Sequence, residues 1–384
     1  FYFDKNLWTQ AADLFTDDAA VELGGAGVYT GKARILAYFN SLGAEGPQEG
    51  ILNEHMQLQP IITVAPDGLT ARGRWQHFSQ EARFGVDHYW GTGVYENEYR
   101  FEDGVWKLSS LHLYSTMRTP YDAGWAVTAL PASIPDPMLP PDQPASVVYQ
   151  NYPAVFVPPY HYENPVTTAK MPVQSAVPAV DLAGIEQGMA DLDRRLGLLQ
   201  DADELERLHT IYGYYLARNQ WDDLAGIFTP DGSIEIALRG IYLGRAGVRR
   251  NLDLYGVQDE LPGELHNHMQ FQPVIHVAAD GQSAQMRSRA FSMMGSYGRS
   301  GRWMGGTYEN LFEKRDGVWM LHKDQVINTY FADYDVGWKD LQWRPAPGVT
   351  EANPPDAPPS LYFEMYPRAY LPAFHYVNPV SGRP

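Results

Sequence analysis

The chain contains no cysteine. That excludes disulfides, thiolate nucleophiles and any metal site built on sulfur. Basic residues are also scarce: 29 Lys and Arg stand against 46 Asp and Glu, for a net charge of −17. A nucleic-acid backbone is held by clustered Lys and Arg, so no nucleic acid is expected as a partner. No apolar run approaches the ~20 residues of a membrane span, so no membrane is expected either. There is no glycine-rich phosphate loop and no G-x-S-x-G element, which removes the usual nucleotide and serine-hydrolase readings. The 11 histidines show no H-x-x-x-H spacing, and no metal site is expected from them.

What the chain has instead is everything twice. Asn53-Glu54-His55-Met56-Gln57-Leu58-Gln59-Pro60 recurs as His266-Asn267-His268-Met269-Gln270-Phe271-Gln272-Pro273. Trp8 recurs as Trp221, Glu22 as Glu235, Tyr95-Glu96-Asn97 as Tyr308-Glu309-Asn310, and Asp103-Gly104-Val105-Trp106 as Asp316-Gly317-Val318-Trp319, always 213 residues on. A constant offset from Trp8 to Trp125 leaves no room for a net insertion. That period is too long for a solenoid, so a whole domain is duplicated. Each copy therefore serves as a control for the other. Residues kept in both belong first to the fold, and residues kept in one belong first to chemistry.

Each repeat reads as helices followed by an antiparallel meander. A first helix ends near Asn6 or Asn219, and a second starts at Trp8 or Trp221. A third covers about 33–41 and 246–255, with a short strand before it. The dipeptides Asp67-Gly68, Asp280-Gly281, Asp103-Gly104 and Asp316-Gly317 mark hairpins. This order predicts α+β domains with helices on one sheet face. The expected layout is repeat 1 over 1–130, a Pro-rich arm and linker over 131–180, a linker helix and repeat 2 over 181–344, and a second Pro-rich arm over 345–384. The arms share an ending, Tyr160-His161-Tyr162 and Phe374-His375-Tyr376. Their aromatic density predicts ordered packing on a domain. Leu182, Ile185, Met189, Leu192, Leu196 and Leu199 form a heptad-like seam in the linker helix. The first reading is a helix lying on its own domains; the other is a homo-oligomer contact. Repeat 1 starts opposite Tyr214, inside the first helix of repeat 2. Residues before Phe1, with any signal peptide, are therefore expected. A soluble protein of the periplasm or the cytoplasm fits equally.

Register supplies candidates for a site. If Asp103-Gly104 is a two-residue turn, Phe101 faces Trp106 and Tyr95 faces His112. Tyr95, Asn97 and His112 then share the face that carries both aromatics, which is expected to be buried. In repeat 2, Tyr308 faces Gln325 instead. The proline at 60 or 273 suggests a bulge in the strand of His55 or His268. A bulge resets parity, so alternation alone does not orient either histidine.

The ordered set Tyr2-x-Asp4, Trp8, Leu14-Phe15, Gly31-Lys32, His55, Tyr95-x-Asn97 and Asp103-Gly104-Val105-Trp106-Lys107 resembles the SnoaL-like branch of the nuclear-transport-factor-2-like superfamily. That group includes scytalone dehydratase, bile-acid dehydratase, ketosteroid isomerase and polyketide cyclases. The resemblance implies two tandem cone-like α+β barrel domains, each a curved antiparallel sheet wrapping N-terminal helices. It also implies acid–base chemistry without a cofactor. Asp4 falls where the dehydratases keep an aspartate, and His55 where scytalone dehydratase keeps a pocket histidine. A second dehydratase histidine, on a later strand, has no counterpart; Thr92 is nearest, and His112 is the candidate substitute. The catalytic set is thus Asp4, His55, His112 and Tyr95. Tyr2, Asn97, Trp90, Tyr114, His268 and Tyr308 are the candidate substrate-binding residues. Repeat 1 is expected to be the active copy, because Asp4 and His112 become Ala217 and Gln325.

The reaction implied is that of a lyase on a hydroxylated aromatic or polycyclic small molecule. It would eliminate water, or release formaldehyde by a retro-aldol-type step, with a lignin-derived phenolic dimer as the type of substrate. Epoxide hydrolysis or isomerisation in the same pocket is the alternative within enzymes. A non-catalytic ligand-binding protein is the alternative outside them. The two repeats are expected to form a pseudo-dimer within the chain, as this fold commonly forms homodimers.

Overall fold

The computed structural model describes residues 1–166, 182–259, 262–341 and 349–384. The expected domain limits near 180 and 344 lie outside the described residues. The chain divides into two compact units: Phe1–Tyr162 with Thr329–Trp343 and Phe363–Pro384, and Glu163–Asn328 with Arg344–Tyr362.

Unit 1 opens with a 3-10 turn over Phe3–Lys5, then α1 (Trp8–Asp13), β1 (Phe15–Leu23), β2 (Val28–Thr30) and α2 (Lys32–Leu42). Asn6 ends the first turn at φ 52°, a left-handed conformation that asparagine tolerates better than most residues. Four long strands follow: β3 (Ile51–Val64), β4 (Thr70–Arg83), β5 (Asp87–Glu102) and β6 (Val105–Pro120). They form one six-stranded sheet in the order β2-β1-β6-β5-β4-β3. β1 runs parallel to β6, and the other pairs are antiparallel. The sheet is therefore mixed and open, with β2 and β3 as its edges, rather than a closed barrel.

Unit 2 repeats the plan. The helix α3 (Leu182–Ala217) leads into α4 (Trp221–Gly226), β7 (Phe228–Ile236), β8 (Ile241–Leu243) and α5 (Gly244–Leu252). Strands β9 (Glu264–Val277), β10 (Ser283–Ser296), β11 (Ser300–Arg315) and β12 (Val318–Asp333) complete a sheet of order β8-β7-β12-β11-β10-β9. The anchoring bonds recur. Trp8 Nε1 donates to Gly43 O at 2.9 Å, and Trp221 Nε1 to Gly256 O at 3.0 Å. Both indoles are buried, so truncating either to alanine is expected to cost ~3–5 kcal/mol.

Glu22 and Glu235, kept in both copies, hold the arms. Ser146 donates from its N–H and hydroxyl to Glu22 at 2.9 and 2.6 Å. Ser360 does the same to Glu235 at 2.7 and 2.6 Å. Bonds to a carboxylate are the stronger class of hydrogen bond, which explains why both copies keep the acid. The last segment of the chain packs within unit 1. Gly50 N donates to Pro367 O at 2.7 Å, and the Phe374 ring lies 5.3 Å from that of Tyr2.

The seam of α3 behaves differently from its first reading. Met189, Leu192, Leu196 and Leu199 are 50–69% exposed and so do not lie against the domains. The side chains of Leu182 and Ile185 fall outside the described residues. Among the described residues, no helix is long and apolar enough to cross a membrane.

Candidate active site

Three bulges decide which side chains face the helices, the last of them at Thr116 in β6. In β3 the register to β4 shifts between Leu58 and Ile61, where Gln59 takes φ 52°. One extra residue there exchanges the inward and outward sets of the strand. His55 consequently pairs with Ser79, and Gln57 with His77. Directly opposed residues share a face, so His55 and His77 project to the same side. Their rings meet: His55 Nδ1 lies 3.1 Å from His77 Nε2. The edge of Phe3 closes on His55 at 5.2 Å, and Tyr95 stands edge-on to His77 at 5.4 Å.

The second bulge lies in β6. Tyr99 pairs with Leu108, but Glu98 pairs with Ser110, which leaves Ser109 as the extra residue. The hairpin register expected from Asp103-Gly104 holds from Phe101–Trp106 through Tyr99–Leu108 and fails beyond it. Tyr95 faces Leu113, not His112, and His112 faces Glu96 on the other side of the sheet. There it stacks on Tyr114 at 3.8 Å, with Nε2 3.7 Å from Glu22. The two aromatics at the hairpin tip are also not buried; Phe101 and Trp106 are each 39% exposed, because they sit beyond the helices.

His112 and Tyr114 are therefore not brought to His55. Tyr114 packs with Tyr149 and Phe156 of the first arm at 6.1 and 5.8 Å. Trp90, opposite Gln80, also points away from His55. It lies in an aromatic cluster with Trp338 at 4.6 Å and Tyr121 at 5.7 Å. Thr92 is likewise on that outer face.

Asp4 does reach the site, by a contact the sequence did not suggest. Its Oδ1 accepts from the backbone N–H of His55 at 2.9 Å. That bond fixes the strand beneath the imidazole. Tyr2 is buried beside this turn. Asn97 shares the face of Tyr95 and donates to Tyr99 Oη at 3.3 Å.

Sequence reasoning missed His77, Ser79, Glu81 and Arg118. Ser79 donates to Glu81 Oε1 at 3.0 Å, and Arg118 Nε donates to Glu81 Oε2 at 3.0 Å. The Arg118 guanidinium lies 3.7 Å from the centre of the Tyr89 ring. The usable signal for His77 was the Asp67-Gly68 hairpin. Counting back from it, with one residue added for the bulge at Pro60, sets His55 opposite Ser79.

The electrostatics favour neutral imidazoles. Burial holds His55 below the ordinary histidine range, with Glu81 opposing that shift. Burial, with His55 beside it, lowers His77 to about 3. Burial also pushes the Tyr95 phenol well up, so it stays a hydrogen-bond donor. Two neutral imidazoles joined nitrogen to nitrogen have one shared proton between them and two outer nitrogens, one a donor and one an acceptor. The outer Nδ1 of His77 is buried with no hydrogen-bond partner among the described residues. Such a pair can take a proton at one end and release one at the other.

Unit 2 carries a different interior. His268 Nδ1 lies 2.9 Å from Ser292 Oγ, because Ala290 stands where His77 does in repeat 1. Burial, with His266 nearby, lowers His268 to about 3. Tyr308 stands edge-on to His209 at 5.0 Å and to Tyr212 at 5.9 Å. Tyr212 Oη donates to Asp324 Oδ2 at 2.8 Å, and burial raises that carboxyl to about 7. Among the described residues, no group of three or more His, Asp or Glu is placed to hold a metal ion.

A family model described as the SnoaL-like domain matches residues 1–112 and 198–323. No protein of curated function matches the chain in sequence. Solved structures resemble part of the chain. One is a protein assigned as a scytalone dehydratase from Novosphingobium aromaticivorans DSM 12444, 21% identical over 41% of this chain and 97% of that one, with a TM-score of 0.33. Another is a type 2 hexachlorocyclohexane dehydrochlorinase, LinA, 22% identical over 40% of this chain and 99% of that one, with a TM-score of 0.32. A third is LinA-type3 from Novosphingobium barchaimii LL02, 20% identical over 40% and 99%, also at a TM-score of 0.32. Each unit is an α+β domain, and the family model matches one segment of each repeat.

Proposed function

Because the chain belongs to the SnoaL-like domain family, we propose that repeat 1 is a lyase working by acid–base chemistry from its own side chains. The substrate class is a hydroxylated aromatic small molecule, such as a phenolic dimer. The observation that carries this reading is the 3.1 Å contact between His55 Nδ1 and His77 Nε2.

In the dehydration form of the reaction, the outer nitrogen of one imidazole takes the phenolic proton. The ring electrons then expel a benzylic hydroxyl para to the phenol, giving a quinone methide. The far nitrogen of the pair delivers a proton to the departing hydroxide, which leaves as water. The pair returns to its starting charge with the tautomers exchanged. Tyr95 donates to the substrate oxygen, and Asp4 keeps His55 in register through its backbone bond. In the formaldehyde-releasing form, the quinone methide is the electron sink: a proton is taken from a side-chain hydroxymethyl group, its carbon–carbon bond breaks to free formaldehyde, and the bond electrons form a side-chain double bond as the ring returns to a phenolate, which the pair reprotonates.

The test is an ultraviolet difference assay on para-hydroxylated benzylic alcohols with wild-type protein and His77→Gln. A loss of about 10²–10⁴-fold in kcat is expected, the usual worth of a general acid–base group. Substrates lacking the para hydroxyl should react poorly with wild type. Unchanged turnover in His77→Gln would sink the relay and return the chemistry to His55 alone.

A further inference from the structure

The outer face of the unit 1 sheet, on the side away from His55, carries a half-open cleft that the proposed reaction does not use. Even-numbered residues of β4 and β5 form its floor: Arg74, Gln76, Thr92 and Val94, with Thr116 from β6. The first Pro-rich arm forms its roof through Phe156, Tyr160 and Tyr162. The cavity measures about 710 Å³, within the ~300–1,000 Å³ typical of small-molecule sites.

The roof is latched rather than loosely laid. His161 Nδ1 lies 2.8 Å from Glu96 Oε2, and its Nε2 lies 3.3 Å from Thr63 Oγ1. Arg74 Nη1 pairs with Glu96 and donates to the Pro159 carbonyl at 3.0 Å. The guanidinium lies 4.1 Å from the centre of the Tyr160 ring. The side chains of Arg74, Glu96 and His161 are 12%, 13% and 5% exposed. Buried charges held this way fix the arm at a set height above the sheet, and fixed walls are what a small-molecule site requires.

We propose that this cavity is a second ligand site, for a neutral planar aromatic carrying hydroxyl or ether oxygens. The aromatic rings of the arm offer faces for stacking. Gln59, Gln76, Thr92 and Thr116 line the space and supply neutral donors and acceptors for ligand oxygens. Neutrality follows from charge. The one cation lining the cavity, Arg74, is already matched by Glu96, and the chain as a whole carries −17. A carboxylate would have to compete with Glu96 for the guanidinium.

The probe is 2-naphthol, titrated calorimetrically into the full chain, with 2-naphthoate as its anionic counterpart. Thr116→Trp and Gln76→Trp fill the cavity from exposed positions and leave the latch and the histidine pair in place. Each is expected to remove one bound equivalent of naphthol or weaken it more than ten-fold, with turnover unchanged. His77→Gln should leave that equivalent in place, and naphthoate should bind at least ten-fold more weakly. The proposal is overturned if both filling variants keep the wild-type stoichiometry and affinity. It is equally overturned if His77→Gln alone removes the naphthol, or if wild type binds none at millimolar concentration.

Discussion

The interiors of the two repeats hold a histidine at the same position and give it different partners. In repeat 1, His55 meets His77 across the strand pair. In repeat 2, alanine replaces that partner, and His268 settles against Ser292. His268 is bonded to that hydroxyl through Nδ1, its Nε2 is buried with no hydrogen-bond partner among the described residues, and it has no second imidazole at hydrogen-bond distance to exchange with. The reverse holds at another position. Leu111 of repeat 1 becomes Asp324 in repeat 2, where α3 supplies Tyr212 to bond it. Retaining a residue in both copies therefore does not retain its chemistry; the neighbour decides. The duplicated positions that keep both residue and partner, such as Trp8 with Gly43 and Glu22 with Ser146, belong to the fold.

The largest effect expected from this contrast is on turnover. His55→Ala should lower kcat by ~10²–10⁴-fold, while His268→Ala should leave it within about two-fold. Steady-state kinetics on folded variants, checked by circular dichroism, would test it. Loss of activity in His268→Ala alone would reverse the assignment of the active copy.

The next effect is on stability and belongs to Asp324. Its folded pKa is raised to about 7, against ~3.9 for an unfolded aspartate. Below the unfolded value both states are protonated, and the stabilisation is fully present. As pH rises toward the folded pKa, the unfolded state loses its proton first, so stability falls. Across that window the loss is on the order of a few kcal/mol. Asp324→Asn should flatten this slope in urea unfolding between about pH 4 and 7. His77 runs the other way. Its folded pKa of about 3 lies below the unfolded ~6.5, so its stabilisation is lost as pH falls from the one value to the other. A wild-type slope that Asp324→Asn leaves intact would place the ionisation elsewhere.

The smallest effect sharpens the comparison at the position where repeat 2 has Gln325. His112→Gln imports that residue into repeat 1. Because His112 sits on the outer face beside Glu22, kcat should change by less than about three-fold. A loss like that of His55→Ala would bring His112 back into the mechanism.

The family and the α+β plan were legible in the sequence because they rest on spacing. Trp8, the Asp-Gly turns and the 213-residue offset survive any small error in strand register. His55 and Tyr95 were legible too, and they do come close to one another through His77. His112 and Tyr114 were misplaced because orientation on a strand depends on parity, whereas alternation along β5 from Tyr95 already puts Trp90 on the outer face. Ser109 adds one residue to β6, and nothing in Leu108-Ser109-Ser110 marks it. His77 was overlooked because repeat 2 has alanine there and no spacing rule links it to His55. Only the paired strand does.

The bulge at Gln59 has a consequence for how such a domain can change over time. Repeat 2 keeps it, with Gln272 at φ 54° against 52° for Gln59. Substitutions alter one side chain at a time, but deleting Gln59 would rotate the whole leading half of β3. Leu52, Glu54 and Met56 would turn toward the helices, and Asn53, His55 and Gln57 would turn to the opposite face, where Leu52, Glu54 and Met56 are now buried. The inward residues of that half-strand are thus inherited or lost together. A copy freed from its original task can be retuned at His77 or Leu111 by point mutation, while a single-residue deletion at this bulge empties the site in one step.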